Sequence, residues 1–312
     1  MGLGQSPWRD HLIPDKTEEA FVEYESVRHV LPPARQALRM PEYLESLADI
    51  ADRFDVFLLD AFGVLNIGEK AIPGAPDRVA DLMAVGKRVM VVSNAASMRK
   101  EALVRKYQNL GYHFEVDDVV SSRDALIAGL QGQDDLHWGV MAVDGDDLSD
   151  LGNLRLTILG DDIAAFEAVD GFLMIGSASW TEARQTLLET ALAKDPRPVL
   201  VGNPDIVAPR ETHFSPEPGH YAHRLSKSVG VVPEYYGKPF QGIYDLAFDK
   251  VGAVDTSRVV MVGDTLHTDI LGAHAAAISS ALIASYGFFA GSDVPGAIAK
   301  SGISPTYVLE RP

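Results

Sequence analysis

Four short stretches carry side chains that can do chemistry together: Asp60-Ala61-Phe62-Gly63-Val64-Leu65, Ser93-Asn94, Gly237-Lys238-Pro239, and Gly263-Asp264-Thr265 followed by Thr268-Asp269. A carboxylate at a strand end can act as a nucleophile and form an aspartyl intermediate. It needs a cation to neutralise the phosphoryl oxygens and a metal to support the displacement. Asp60, Lys238 and Asp264 are the right types for those three parts. Mg²⁺ takes few carboxylates, keeps several waters and uses the substrate's own oxygens, so Asp60 and Asp264 suffice as its side-chain ligands. Taken singly, each signal is weak. A strand-terminal aspartate is commonly the N-cap of the next helix, a lone lysine is commonly solvated, and Asp269 ahead of Ile270–Ala277 also reads as a helix-start carboxylate favoured by the dipole. What carries the reading is four such elements, in this order, each at a predicted strand end or helix start.

These residues sit at the ends of recognisable elements. Val56–Asp60 is a continuous apolar run ending in a carboxylate, as expected of a strand buried on both faces; Arg88–Val92 repeats the design and ends in Ser93-Asn94, and Val259–Val262 ends in Gly263-Asp264. Helices are predicted between them, at Asp77–Val85 and Met98–Leu110, the latter stopped by Gly111. Alternating strand and helix argue for a doubly wound parallel α/β sheet, in which ligands bind beyond the carboxyl ends of the strands. Residues 134–231 form a second alternating block, with strands at Gly139–Val143, Leu154–Ile158, Gly171–Ile175 and Pro198–Gly202 and a helix over Thr181–Ala193. Because strand-end signals resume after it, this block reads as an insertion that splits the first unit into 50–133 and 232–312. Residues 1–49 read as a helical extension with Phe21, Tyr24, Val27 and Val30 at helical spacing before Pro32 and Pro33. Trp138 and Trp180 read as core aromatics of the insertion.

The composition closes off several functions. The 312 residues, 46% of them hydrophobic, can bury more than one core, and a net charge of −17 repels nucleic-acid backbones and anionic membranes. There is no cysteine, so disulfides, thiolate metal sites and cysteine nucleophiles are excluded. The first thirty residues hold no apolar run long enough for a signal peptide or a membrane span, which makes a cytoplasmic protein the expectation.

The motifs resemble those of the haloacid dehalogenase (HAD) superfamily, and most closely the branch of NagD-like and p-nitrophenyl-phosphatase-like phosphatases, whose cap is inserted between the second and third motifs. The resemblance runs over about residues 50–290, through DAFGVLNIGEKAIPGA, VMVVSNAAS, GNPDIVAPR, YYGKP and VGDTLHTDILGA. It implies a Rossmann-like core with an α/β cap, and an enzyme that hydrolyses a small anionic, phosphorylated molecule with Mg²⁺ as cofactor. By the same resemblance Asp60 is the nucleophile, Ser93 and Asn94 hold the transferring group and Lys238 steadies both. Mg²⁺ would lie on Asp60, the main-chain carbonyl of Phe62 and Asp264, with Asp269 in support. Gly63, Asn94 and Ala95 on the core, and Asn203, Asp205 and His220 on the cap, would meet the substrate. Caps of this type often take part in dimer contacts, which leaves a homodimer open.

One departure stands against these agreements. The family's phosphatases carry a second aspartate two residues after the nucleophile, which protonates the leaving oxygen and later activates water; here that place is Phe62. General acid–base help is typically worth about 10²–10⁴-fold, or roughly 3–5 kcal/mol of barrier. Three readings follow: a Mg²⁺-dependent phosphatase using a good leaving group or an acid from the cap, an aspartate-nucleophile hydrolase acting on carbon, and a binding protein that keeps only the phosphate and metal cradle. Aromatic residues stand at this place in the superfamily's dehalogenases, but displacing halide from carbon needs no metal. For the missing acid, the cap offers His220, at the start of a short helix that follows a predicted Pro218-Gly219 turn; a histidine exchanges protons near neutral pH, and a helix N-terminus attracts anions.

Overall fold

The computed structural model describes residues 14, 16–34, 40–143, 145–210 and 213–312. In chain order its strands are β1 (Glu42–Ser46), β2 (Val56–Leu59), β3 (Asn66–Ile67), β4 (Lys70–Ala71), β5 (Arg88–Ser93), β6 (Val119–Ser121), β7 (His137–Met141), β8 (Arg155–Ile158), β9 (Gly171–Met174), β10 (Val199–Val201), β11 (Val207–Pro209), β12 (Phe214–Pro216), β13 (Glu234–Tyr235), β14 (Val259–Gly263), β15 (Ser279–Ile283) and β16 (Tyr307–Arg311). Seven of them form one sheet in the order β1-β16-β15-β14-β2-β5-β6, with every pairing parallel. A second parallel sheet, β13-β10-β9-β7-β8, takes four strands from the inserted block and its edge strand β13 from residues just past the expected boundary at 231, and β3-β4 and β11-β12 are short hairpins.

The continuous apolar runs are explained by cover on both faces. Phe57, Leu59, Val89, Val91, Val260 and Val262 point into one core cluster, while Val56, Leu58, Met90, Val92, Val259 and Met261 point into another on the opposite face. Chain order runs outward in one direction from β2 and in the other from β14, so the switch point of the sheet lies between these two neighbours. There the loops diverge and leave a crevice, and there Asp60 and Asp264 emerge. The second sheet is two-faced in the same way: Phe172, Met174 and Val201 face one cluster that includes Trp180, and Leu173, Ile175 and Leu200 face another that includes Trp138. This last cluster also takes in Ala96 and Leu126 from the first unit, so the two units share apolar cover.

Two expectations about local structure change. Residues 1–49 are not purely helical: β1 joins the edge of the seven-stranded sheet beside β16. Its sequence, EYLES, carries no apolar run because an edge strand with only one covered side does not need one. The helix Thr17–Ser26 does form, burying Ala20, Phe21, Tyr24 and Val27 against Leu266, Ile270 and Phe288; residues 1–13, 15 and 35–39 of the expected extension lie outside the described residues. Pro218-Gly219 is not a turn but the opening of the helix Pro218–Ser228, where proline's fixed φ and missing N–H suit the first helical position.

Candidate active site

Asp60 follows β2, Asp264 follows β14, and Asp269 lies in a single π-helical turn, Leu266–Ile270, that brings it back under Asp264. Asp269 Oδ2 accepts the main-chain amides of Asp264 (3.1 Å) and Thr265 (3.0 Å). The Lys238 ammonium bridges Asp60 Oδ1 at 2.5 Å and Asp269 Oδ1 at 2.7 Å. With two of its three donors committed there, one N–H of Lys238 is left for a further oxygen. Asp264 is fixed in turn by Thr265 Oγ1, which donates to its Oδ1 at 2.8 Å, and by the Phe288 amide, which donates to its Oδ2 at 2.8 Å. Gly63 and Gly287, both at positive φ, pass so close to Asp264 that a Cβ on either would collide with its carboxylate.

Carboxylate oxygens of Asp60, Asp264 and Asp269 all come within 4.8 Å of one another, facing a single buried ammonium. The charge imbalance shows in the proton affinities. Burial, reinforced by Asp269 and held back by Lys238, pushes Asp60 up to about 6. Burial followed by the repulsion of Asp269 and Asp60 drives Asp264 well above the usual carboxylate range. For Lys238, burial opposes the charged form, yet Asp269 and Asp60 outweigh it and hold the ammonium protonated above its ordinary range. A hard divalent cation with oxygen ligands fits this surplus of negative charge, with Asp60 and Asp264 facing the cavity and Asp269 behind them.

The cavity beyond these groups measures about 210 Å³. Asp60, Phe62, Ser93, Asn94, Ala95 and Asp264 line its core wall; Asn203, Asp205, Arg210 and Glu217, from the inserted block expected to be a cap, line the facing or cap wall. On the cap wall the groups satisfy one another. The Asp205 amide donates to Asn203 Oδ1 (2.9 Å), Asn203 Nδ2 to Glu217 Oε2 (3.1 Å), Arg210 Nη2 to Glu217 Oε1 (3.2 Å) and Ser215 Oγ to Glu217 Oε1 (2.9 Å). The Phe62 ring is flanked by two cations, the Arg210 guanidinium at 5.2 Å and the Lys106 ammonium at 5.6 Å from its centroid.

The structure brings most of the expected site residues together and leaves two of them, Gly63 and His220, outside the cavity lining. Asp60, Ser93, Ala95, Lys238, Asn203, Asp205, Asp264 and Asp269 sit at or directly behind the cavity wall. Asn94 lines the cavity, but its amide is already used: Nδ2 donates to Asp205 Oδ1 (2.8 Å) and to the Lys238 carbonyl (3.0 Å), while Oδ1 accepts the Lys238 amide (2.7 Å). Its side chain therefore clamps Lys238 and Asp205 and has no donor left for a substrate. Gly63 is outside the cavity lining; its part is to let the main chain approach Asp264. His220 is also outside it: the ring is buried and its Nδ1 meets Glu23 Oε1 of the N-terminal helix at 2.7 Å, because that helix covers the start of Pro218–Ser228.

Sequence reasoning missed Arg210 and Glu217 on the cap wall and the Phe288 amide behind Asp264. Arg210 lies within the GNPDIVAPR stretch that carried the resemblance, so that stretch held the signal; a main-chain amide leaves none.

Residues 57–151 match the haloacid dehalogenase-like hydrolase family, and residues 235–311 match a second HAD-hydrolase-like family, together more than half of the chain. The chain is 27% identical over 244 residues to 4-nitrophenylphosphatase of Schizosaccharomyces pombe, covering 71% of this chain and 80% of that protein. It is 28% identical over 219 residues to acid sugar phosphatase of Staphylococcus aureus, covering 70% and 82%. Among solved structures, a possible sugar phosphatase of the HAD superfamily from Cytophaga hutchinsonii superposes with a TM-score of 0.76 at 23% identity, covering 86% of this chain and 98% of that one. With its switch-point carboxylates, its buried lysine and both family matches, the chain belongs to the haloacid dehalogenase-like hydrolases.

Proposed function

We propose that this hydrolase is a phosphatase of small phosphorylated metabolites, acting through an aspartyl-phosphate at Asp60 with Mg²⁺ as cofactor, the unit around the five-stranded sheet serving as its cap. The observation that carries the proposal is the group of three neighbouring carboxylates at the sheet's switch point, two of which, Asp60 and Asp269, share one buried lysine. Both curated relatives named above are phosphatases. Asp60, pushed up only to about 6, is mostly ionised at neutral pH and able to attack phosphorus. Lys238 holds Asp60 by Oδ1 and offers its remaining N–H to a phosphoryl oxygen. The Ser93 hydroxyl lines the same cavity, accepts the Ala95 amide at 3.3 Å and lies in hydrogen-bonding reach of the buried Tyr107 hydroxyl. Asp60, Asp264 and the main-chain carbonyl of Phe62 would hold Mg²⁺, which would supply charge neutralisation for the transferring group. In a carbon-directed hydrolase the buried cation cradle would be idle, and in a mere binding protein the ionised Asp60 would be.

The decisive experiment is intact-mass detection of a phosphoenzyme during turnover of an aryl phosphate in Mg²⁺. The parent is expected to gain the mass of one phosphoryl group and Asp60→Asn to show neither the mass nor turnover. Parental turnover in Asp60→Asn would refute the proposal.

A further inference from the structure

The core wall has no proton donor where the family's second aspartate stands, since Phe62 fills that place between Lys106 and Arg210. Three other acids line the cavity. Glu69 is a rim residue, 75% exposed and paired with Lys106 at 3.0 Å. Glu217 is committed to Asn203, Ser215 and Arg210. Asp205 remains. Its Oδ1 accepts a 2.8 Å bond from Asn94, the residue that also holds the main chain of Lys238, so this carboxyl is tied by one side chain to the lysine that grips Asp60. Because Asn94 donates to Oδ1, the proton of a neutral Asp205 belongs on Oδ2, which has no hydrogen-bond partner among the described residues.

We infer that Asp205 is the general acid–base of this enzyme, performing from the cap wall the proton transfers that Phe62 cannot. The inference rests on the phosphoryl-transfer reading at Asp60. In the first half-reaction an Asp60 oxygen forms a bond to phosphorus as the bond to the ester oxygen breaks. The leaving oxygen keeps that electron pair and takes the Oδ2 proton, which leaves Asp205 as carboxylate. In the second, water attacks the phosphorus and gives one proton to Asp205; the bond to Asp60 breaks with its electron pair returning to the carboxylate, and inorganic phosphate departs. Asp205 ends protonated, as it began.

The surroundings suit a donor at neutral pH. Burial pushes this carboxyl up to about 8; Lys238 and the Asn94 bond pull against that, while Asp60 and Glu217 add to it. From the N-terminal helix, the Tyr24 hydroxyl accepts the neighbouring Ile206 amide at 3.1 Å and so fixes the segment that carries Asp205.

The test uses the full chain in Mg²⁺, with an alkyl phosphate and 4-nitrophenyl phosphate as substrates. Asp205→Asn is expected to lower kcat on the alkyl ester by ~10²-fold or more, to accumulate phosphoenzyme from the aryl ester, and to lose the decline of activity that the parent shows as pH rises through about 8. A kcat within about twofold on the alkyl ester, with no added phosphoenzyme and the alkaline limb intact, overturns the assignment. Should Asp205→Asn fail to fold, Asp205→Glu decides: a displaced alkaline limb supports the inference and an unmoved one refutes it. Failure of the underlying reading looks different, since Asp60→Asn would then keep parental turnover and the parent would never gain the phosphoryl mass.

Discussion

The core wall of the cavity is built from groups at war with one another, whereas the cap wall is built from groups at peace. Asp60, Asp264 and Asp269 crowd one ammonium at the ends of two central strands, and main-chain amides hold them there. Asn203, Arg210, Ser215 and Glu217 form a closed network on the segment between β10 and the helix Pro218–Ser228. The contrast teaches a division of labour. On the mechanism proposed above, the wall with surplus negative charge takes the cation and positions the nucleophile, while the balanced wall presents one neutral acid without disturbing it.

The largest expected effect comes from the core wall. Asp60→Asn keeps the shape but removes the nucleophile, and turnover should fall by ~10⁴-fold or more; phosphate release measured at high enzyme concentration would settle it. Lys238→Met comes next. It strips the buried carboxylates of their cation, so turnover should drop by ~10³-fold, and chelator-treated protein should lose about 3–5 kcal/mol of stability in urea, part of which Mg²⁺ restores. Unchanged stability would mean that Lys238 does not offset the charge of Asp60 and Asp269.

The comparison sharpens if the acid is moved from one wall to the other. In an Asp205→Asn background, Phe62→Asp should raise turnover on alkyl phosphates by up to ~10²-fold, with the new carboxyl standing where the family's acid stands. The same change alone should help less, since Asp205 is already present. A larger gain in the parent than in the Asp205→Asn background would contradict the division of labour.

A smaller effect tests the electrostatics directly. Asp60 and Asp205 have folded-state proton affinities raised to about 6 and about 8, from an ordinary value of 3.8. Between the unfolded and folded values the native state binds more protons, so their contribution to stability is present below about pH 4 and is lost as pH rises toward 6 for Asp60 and toward 8 for Asp205. Urea unfolding of metal-free protein at pH 5, 7 and 8 should show stability falling across the series, and saturating Mg²⁺ should flatten the part due to Asp60. A stability that rises over this range in chelator would contradict the assigned shifts.

How far the sequence reveals this arrangement differs between the walls for a physical reason. Asp60 and Asp264 end runs of apolar residues buried on both faces, and such runs are visible in one dimension. Lys238 has no such run before it and is legible only through the family motif. The cap wall depends on which loop side chains meet across a gap. Arg210 was overlooked although its stretch was singled out, because a solitary arginine has no spacing to betray its partner Glu217. Gly63 reads as a substrate contact because a glycine after a strand end suits a ligand and a neighbouring carboxylate equally; the packing of Asp264 against it shows the second. Asn94 stands on the cavity wall as its motif implies, while three bonds to Lys238 and Asp205, invisible in one dimension, occupy its amide.

The smallest effect on turnover is expected at His220, and it separates the two walls from the helix that covers them. The sequence places a short helix at His220; in the fold it opens at Pro218, and Thr17–Ser26 lies across it: Glu23 meets His220 at 2.7 Å, as Glu25 meets His267 at 2.5 Å in the core. One short helix thus bonds to a buried histidine on each unit. His220→Ala removes a hydrogen bond to a carboxylate and leaves a small void, which should cost about 1–3 kcal/mol of stability. The cavity lining is untouched, so kcat should stay within about twofold of the parent on alkyl and aryl phosphates alike. Glu23→Gln keeps a hydrogen-bonding side chain without the charge and should cost less than His220→Ala. A turnover loss of ~10²-fold in His220→Ala at unchanged stability would mean that the histidine reaches the substrate after all, and the acid would then have to be sought on that helix and not at Asp205.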